Sequence, residues 1–305
     1  MVEFVKGMVS VIIPSYNHAQ YIEQTVKSVL EQDYTNWELI ICDDGSKDKS
    51  HEILQKYNDD RRITLILHET NRGQGVVLNE GIDIAKGEFI CFLSSDDLYY
   101  PERLRLLVEK LNSTNRGVGF VYSYGHSMDT KGNVKLDQTL KVLTGNIFNK
   151  LILGNCIFPI SPMFRREVFA KERFWDGYAA EGEAIYVRIA RHWSVEFVPI
   201  VTCAMRKHSY NTGANVEVMY VENIKWLNQF ISTPDLSREE KALVNKRIGF
   251  IHRLSGLSYI RLKKDYHKGN DALKACIIQN KLYIFDWKVV AGLVICAIMT
   301  RRVDN

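Results

Sequence analysis

Through the first hundred residues, short continuous apolar runs alternate with stretches whose apolar positions recur every three or four residues. Val9–Ile13 is a β-branched run ended by Pro14, which predicts a buried strand. Ala19–Gln32 places Ile22, Val26, Val29 and Leu30 on one helical face. Trp37–Cys42 predicts a second strand, Ser50–Tyr57 a short helix opening near a serine cap, and Ile63–Leu67 a third strand. Val76–Ala85 reads as helix and Glu88–Leu93 as a fourth strand. This β-α-β-α-β-α-β order predicts an α/β fold, a mostly parallel, doubly wound sheet with helices on both faces. In such sheets ligands sit beyond the carboxyl ends of the strands, so the residues just after each strand matter most.

Past Pro101 the pattern gives a helix (Glu102–Leu111), a strand (Val118–Ser123), a turn at Asp129–Gly132, a helix (Glu183–His192) and a strand (Val195–Val201). From about Trp226 it turns helical to the end. The expected organisation is an α/β domain over residues 1–225, with a leading half to about residue 100 and a second half over 101–225, and a helical extension over residues 226–305.

Charge sharpens that division. The net +4 of the 305 residues is uneven: residues 226–305 carry 14 Lys+Arg against 7 Asp+Glu, leaving 26 against 29 for the remainder. A basic tail on a slightly acidic body points to an anionic partner for the tail. At 46% hydrophobic and 25% charged, the composition excludes disordered and collagen-like classes. The six cysteines stand singly, without the paired spacing of zinc or redox sites, and read as buried, reduced thiols of a cytosolic protein. The first residues lack a signal-peptide apolar stretch, and Val289–Met299 is too short to span a bilayer, which takes roughly 20 residues.

The strand ends carry the chemistry. They read Pro14-Ser-Tyr16-Asn17, Asp43-Asp44-Gly45-Ser46, Asn71-Arg72-Gly73 and Ser94-Ser95-Asp96-Asp97. Two acidic pairs at one sheet edge repel each other unless a cation or a hydrogen-bonding ligand offsets the charge. Carboxylates suit Mg²⁺ or Mn²⁺, and such an ion suits a diphosphate. A plainer reading of Asp43-Asp44-Gly45-Ser46 is a turn and helix cap.

With those segments in place, the sequence resembles the family 2 glycosyltransferases of the GT-A fold over roughly residues 8 to 210. Ser10–Asn17, Asp43–Asp48, Asn71–Gly73 with Asn79–Gly81, Gly87, and Ser95–Asp97 followed by Pro101 match that family in order and spacing. The resemblance implies that Pro14 and Tyr16 flank a nucleotide base, that Asp44 contacts base or ribose, and that Arg72 reaches the base or a phosphate. It implies that Asp96 and Asp97 hold Mn²⁺ or Mg²⁺ on the donor diphosphate, although Ser94 stands where the family often has Asp. Arg206-Lys207-His208 and Asn211-Thr212 resemble the family's basic segment, in which His208 would meet the diphosphate; a surface histidine is the plainer reading.

Inverting members place a base in a Glu-Asp pair seven and six residues before an Arg. Counting back from Arg188 gives Glu181 and Gly182, with Ala184 at the next acidic position. Three readings stay open: Glu183 is the base, Glu181 is, or the base has been lost. For either Glu alone, a solvated helix N-terminus is the structural alternative.

Other chemistries fail on their motifs. Gly73-Gln-Gly75 lacks the third glycine of a dinucleotide fingerprint, and neither a P-loop nor a nucleophile elbow is present. The resemblance implies an inverting, metal-dependent transfer of a sugar, with a UDP-sugar the expected donor. The acceptor would be a hydroxyl of a glycan or a polyprenyl-diphosphate-linked saccharide, in surface polysaccharide synthesis such as O-antigen or capsule. The alternative is an inactive nucleotide-sugar-binding protein of the same fold. For the tail, with Tyr283, Phe285, Trp287 and Lys288 beside a short apolar run, membrane-surface docking competes with packing on the catalytic domain. Nucleic acid finds no supporting motif. The expected location is the cytoplasm, peripheral at the inner face of the membrane.

Overall fold

The computed structural model describes residues 4–136, 141–178, 181–208, 211 and 215–303. The chain separates into two compact units, residues 1–148 with 155–211, and residues 149–154 with 212–305.

The first unit is built on β1 (Val5–Ser15), α1 (Ile22–Leu30), β2 (Trp37–Asp43), α2 (Ser50–Gln55), β3 (Ile63–Leu67), α3 (Gln74–Ile84) and β4 (Gly87–Phe92). It continues with β5 (Leu98–Tyr99), α4 (Arg103–Asn112), β6 (Val118–Met128) and β7 (Val134–Leu136). After α5 (Phe148–Ile152) come β8 (Met163–Arg165), α6 (Glu181–His192) and β9 (Ser194–Arg206). Among the described residues the strands form one nine-stranded sheet, ordered β3-β2-β1-β4-β8-β6-β9-β5, with β7 added to β6. The four leading strands pair in parallel, as their alternation with helices requires. Past β4 the sheet is mixed: β8 runs antiparallel to both β4 and β6, while β6 and β9 are parallel.

Pro14 does not end the first strand; β1 continues to Ser15, paired with β2. The register with β4 stops at Ile12, so the amide that proline lacks leaves no ladder bond unmet on that side. Alternate residues Val11, Ile13, Leu39 and Ile41 bury into one apolar cluster with Val26 and Val29 of α1 and Leu104 and Leu107 of α4. Burying each such side chain contributes roughly 1.5–3 kcal/mol. This cluster holds the strand ends in fixed register at the edge where the chemistry lies.

The second unit comprises α7 (Val216–Ile231), α8 (Arg238–Ser258), α9 (Tyr266–Gln279) and α10 (Trp287–Val303). Helix α7 opens ten residues before Trp226, because the Asn215 side chain caps it by accepting from the amides of Glu217 and Val218. A capping box of Ser237 and Glu240 opens α8. Ile260, Leu273, Cys276, Val289 and Cys296 form this unit's own core. No helix among the described residues is long and apolar enough to cross a membrane. Five cysteines are buried and none of the six is in a disulfide, but Cys156 is exposed, contrary to the expectation from sequence. Its neighbours Asn155 and Ile157 lie in an irregular segment, where an apolar neighbourhood in sequence does not guarantee burial.

Candidate active site

The parallel register brings the carboxyl ends of β1, β2 and β3 to one edge, with Ser15 opposite Asp43 and Asp43 opposite Leu67. Asp43 builds the turn that follows β2. Its carboxylate accepts from Ser15 Oγ at 2.9 Å, from the Ser46 amide at 2.9 Å and Ser46 Oγ at 2.7 Å, and meets His51 Nε2 at 2.6 Å. Gly45 is required there: its φ is +76°, and a Cβ would lie 2.6 Å from the Thr70 carbonyl carbon. Asp44, also buried, accepts from the amides of Arg72 at 2.6 Å and Gly73 at 2.9 Å. It thereby ties the loop after β3 to the loop after β2. The Arg72 guanidinium is half-exposed and pairs with Glu80, which also meets His68 at 2.7 Å. Pro14, near the end of β1, is half-buried, and Tyr16, on the loop that follows, is exposed. The next residue, Asn17, has a left-handed φ of 53°, with its amide donating to Ser46 Oγ at 2.8 Å. Tyr16, Asp44 and Arg72 therefore belong to three adjacent, mutually braced loops.

The second acidic pair divides its work. Asp97 turns toward β9, its Oδ1 accepting from the Arg206 amide at 2.7 Å. Burial, reinforced by the neighbouring Asp96 charge, pushes its pKa well above the usual carboxylate range, against the pull of Arg206. Asp96 turns the other way. Its Oδ2 lies 2.9 Å from His208 Nε2 and accepts from Asn211 Nδ2 at 3.1 Å, and its Oδ1 lies 4.0 Å from His18 Nδ1. One ligand atom from each of His18, Asp96 and His208 lies within 4.8 Å of the others. Asp97, predicted alongside Asp96 as a metal ligand, falls outside this group.

The cluster is framed by rings. Tyr21 stacks on His208 with centroids 5.4 Å apart, His18 meets His208 edge-on at 5.9 Å, and the Arg206 guanidinium lies 4.5 Å over Tyr21. His18 Nδ1 is also 2.7 Å from Ser95 Oγ. Burial lowers the His18 pKa, Asp96 raises it and His208 lowers it further, so the ring favours its neutral, ligating form. One carboxylate and two imidazoles fit a divalent transition ion such as Mn²⁺ better than Mg²⁺, which prefers oxygen throughout.

On α6 the two glutamates part company. Glu181 is buried, its Oε1 accepting from the Trp175 amide at 2.6 Å and from Arg188 Nη2 at 2.7 Å. Arg188 also lies 3.2 Å from Glu172, and its guanidinium sits 3.9 Å from the centre of the Trp175 ring. Burial raises the Glu181 pKa, partly offset by Arg188. Glu183 is exposed in the first turn of the same helix. Among the described residues nothing lies within 4 Å of a Cβ placed on Gly182.

Sequence reasoning passed over His18, Arg206 as the brace for Asp97, and Asn211 as a partner of Asp96. Thr212, read with Asn211 as part of the basic segment, lies outside the described residues. For His18 the available signal was its place in the loop directly after β1, among the motif residues.

Comparison with known proteins decides the family. The sequence model described as "Glycosyl transferase family 2" matches residues 10–172. The chain belongs to glycosyl transferase family 2. A relative from Bacillus subtilis (strain 168), named as a teichuronic acid biosynthesis glycosyltransferase, TuaG, is 35% identical over 163 residues, covering 53% of this chain and 64% of the relative. Escherichia coli WfgD, named UDP-Glc:alpha-D-GlcNAc-diphosphoundecaprenol beta-1,3-glucosyltransferase, is 36% identical over 149 residues, 49% of this chain and 56% of that protein. The matched region thus spans less than two thirds of each relative. In solved structures, S. aureus TarS (residues 1–349) in complex with UDP-GlcNAc aligns over 97% of this chain and 92% of its own, with a TM-score of 0.68 at 18% identity. That likeness establishes the GT-A-like fold.

Proposed function

We propose that this glycosyl transferase family member moves a sugar from a UDP-sugar to a hydroxyl of a polyprenyl-diphosphate-linked saccharide, inverting the anomeric carbon. The observation that carries the reading is the juxtaposition of His18, Asp96 and His208 beside the braced loops of Tyr16, Asp44 and Arg72. The names of WfgD and TuaG favour this donor, a lipid-linked acceptor and surface polysaccharide as the destination.

In this reading Pro14 and Tyr16 flank the base, Asp44 fixes the loop that presents Arg72, and Arg72 meets the nucleotide. His18, Asp96 and His208 would hold Mn²⁺, which when bound supplies Lewis-acid stabilisation of the charge gathering on the leaving diphosphate. Asp97 keeps Asp96 in place by anchoring its segment to β9. Glu183, solvent-facing at the start of α6, accepts the proton of the acceptor hydroxyl as its oxygen bonds to the anomeric carbon and the bond to the diphosphate breaks. Glu181 fastens the start of α6 through Arg188.

The assay is transfer from radiolabelled UDP-glucose and UDP-GlcNAc to a synthetic polyprenyl-diphosphate-GlcNAc, with Mn²⁺. Metal-dependent product that Asp96→Asn abolishes supports the reading; donor binding with no transfer or hydrolysis contradicts it. The open space at Gly182, where the family usually has its base, favours a second reading, an inactive binder. Gly182→Asp separates the two: it creates activity in an inactive binder and changes little if Glu183 already serves.

A further inference from the structure

We propose that the outer face of α10, with the turn before it, seats the protein on an anionic lipid bilayer. Twelve consecutive residues, 289–300, carry no charge. A helix that is apolar all round expects cover on every side. One side has it: Val289 and Cys296 are buried with Ile260, Leu273 and Cys276 in the core of the helical unit. Gly292 lets α10 approach closely, since a Cβ there would lie 2.6 Å from Leu273 Cδ1.

The other side is bare. Val290, Val294 and Ile298 recur at four-residue spacing and are 44%, 53% and 50% exposed. The preceding short 3-10 turn, Lys281–Phe285, extends the apolar surface through Leu282 and Phe285, and Trp287 continues it at 71% exposed. Scattered exposed apolar residues are ordinary, but a row on one helix face led by two exposed aromatics marks an interaction surface.

Charge selects the occupant. Lys281 and Lys288 flank the aromatic end, with Lys288 Nζ 5.8 Å from the Trp287 ring centre, and Arg301-Arg302 follow in sequence at the other end. Residues 259–305 hold nine Lys+Arg against four Asp+Glu, and Asp286 is neutralised by Arg253 at 2.7 Å. A two-fold pairing of this face with a second copy would oppose basic residues to basic residues. An anionic lipid surface instead complements the lysines and arginines, and receives Trp and Phe at headgroup level while the aliphatic row enters the acyl boundary. At 17 residues, α10 lies in the interface plane and does not cross it.

The test uses the full chain and sedimentation with vesicles of phosphatidylglycerol and phosphatidylethanolamine, against pure phosphatidylcholine. Expected are at least tenfold tighter binding to the anionic vesicles and at least a tenfold loss in V294D/I298D. F285S/W287S, placed at the helix start and the preceding turn, should lose binding in parallel with an unchanged melting temperature. Equal binding to both lipid types, or binding unaffected by F285S/W287S, overturns the proposal. So does a lipid-free dimer in light scattering that V294D/I298D dissociates, which would assign the face to a second copy. No sugar donor enters the assay, so it succeeds or fails independently of glycosyl transfer.

Discussion

Carboxylates occur in two regions of the first unit and are handled in opposite ways. At the strand ends, Asp43, Asp44, Asp96 and Asp97 are all buried, and each is held by a group from another strand end or loop. At the start of α6, one glutamate is buried and locked to an arginine while its neighbour two residues on faces solvent. Buried acids with fixed partners present a preorganised anion-and-cation site, whose geometry costs nothing at the moment of reaction. An exposed acid in the first turn of a helix is within reach of an incoming hydroxyl. Under the proposed function, this contrast separates donor binding at the strand ends from proton removal at α6.

The comparison breaks most visibly at Asp96. Asp96→Ala should lower transfer about 1,000-fold, as expected for losing electrostatic stabilisation of the leaving group. Asp97→Asn, which keeps an acceptor for the Arg206 amide, should cost less than about tenfold, since the Asp97 carboxyl is not needed ionised at a metal. Steady-state kinetics on both variants measures the gap, and equal losses would return Asp97 to the ligand set. At α6, Glu183→Gln should lower kcat about 100-fold with little change in KM for the donor, the scale of general-base loss. Glu181→Ala should act on the fold, costing about 3 kcal/mol in urea unfolding because buried Arg188 loses one of its two carboxylate partners and the Trp175 amide loses its acceptor. His18→Ala should weaken Mn²⁺ binding about tenfold by titration of the paramagnetic signal, a readout that needs no turnover. The smallest effect concerns thiols. Burial pushes Cys42, Cys203 and Cys276 up to about 12, so at pH 8 iodoacetamide should label Cys156 alone in the native protein. Mass spectrometry reads this directly, and unfolding in guanidinium should open the others to reaction.

Much of this was legible in the chain. Ile63–Leu67 reads as a strand from its own apolar run and is one; the acidic pairs announce a sheet edge by following buried runs. What local sequence could not disclose is which way each acid turns. Asp97 takes its partner 109 residues later, at Arg206, and Asp96 finds His208 112 residues away. His18 enters the cluster only because β1 and β4 are neighbours, bringing it to Ser95, 77 residues on. Such choices belong to tertiary packing. The mixed half of the sheet was hidden for a related reason: β8 has only three residues, too few to show an alternating pattern.

The central claim is that the strand-end cluster receives a nucleoside diphosphate together with a divalent ion. Calorimetric titration of UDP into the protein, with and without Mn²⁺, tests it most directly in the wild type and in Asp96→Asn. The account predicts at least tenfold tighter UDP binding with Mn²⁺ in the wild type and no such gain in the variant. Equal UDP affinity with and without Mn²⁺ in the wild type would contradict it.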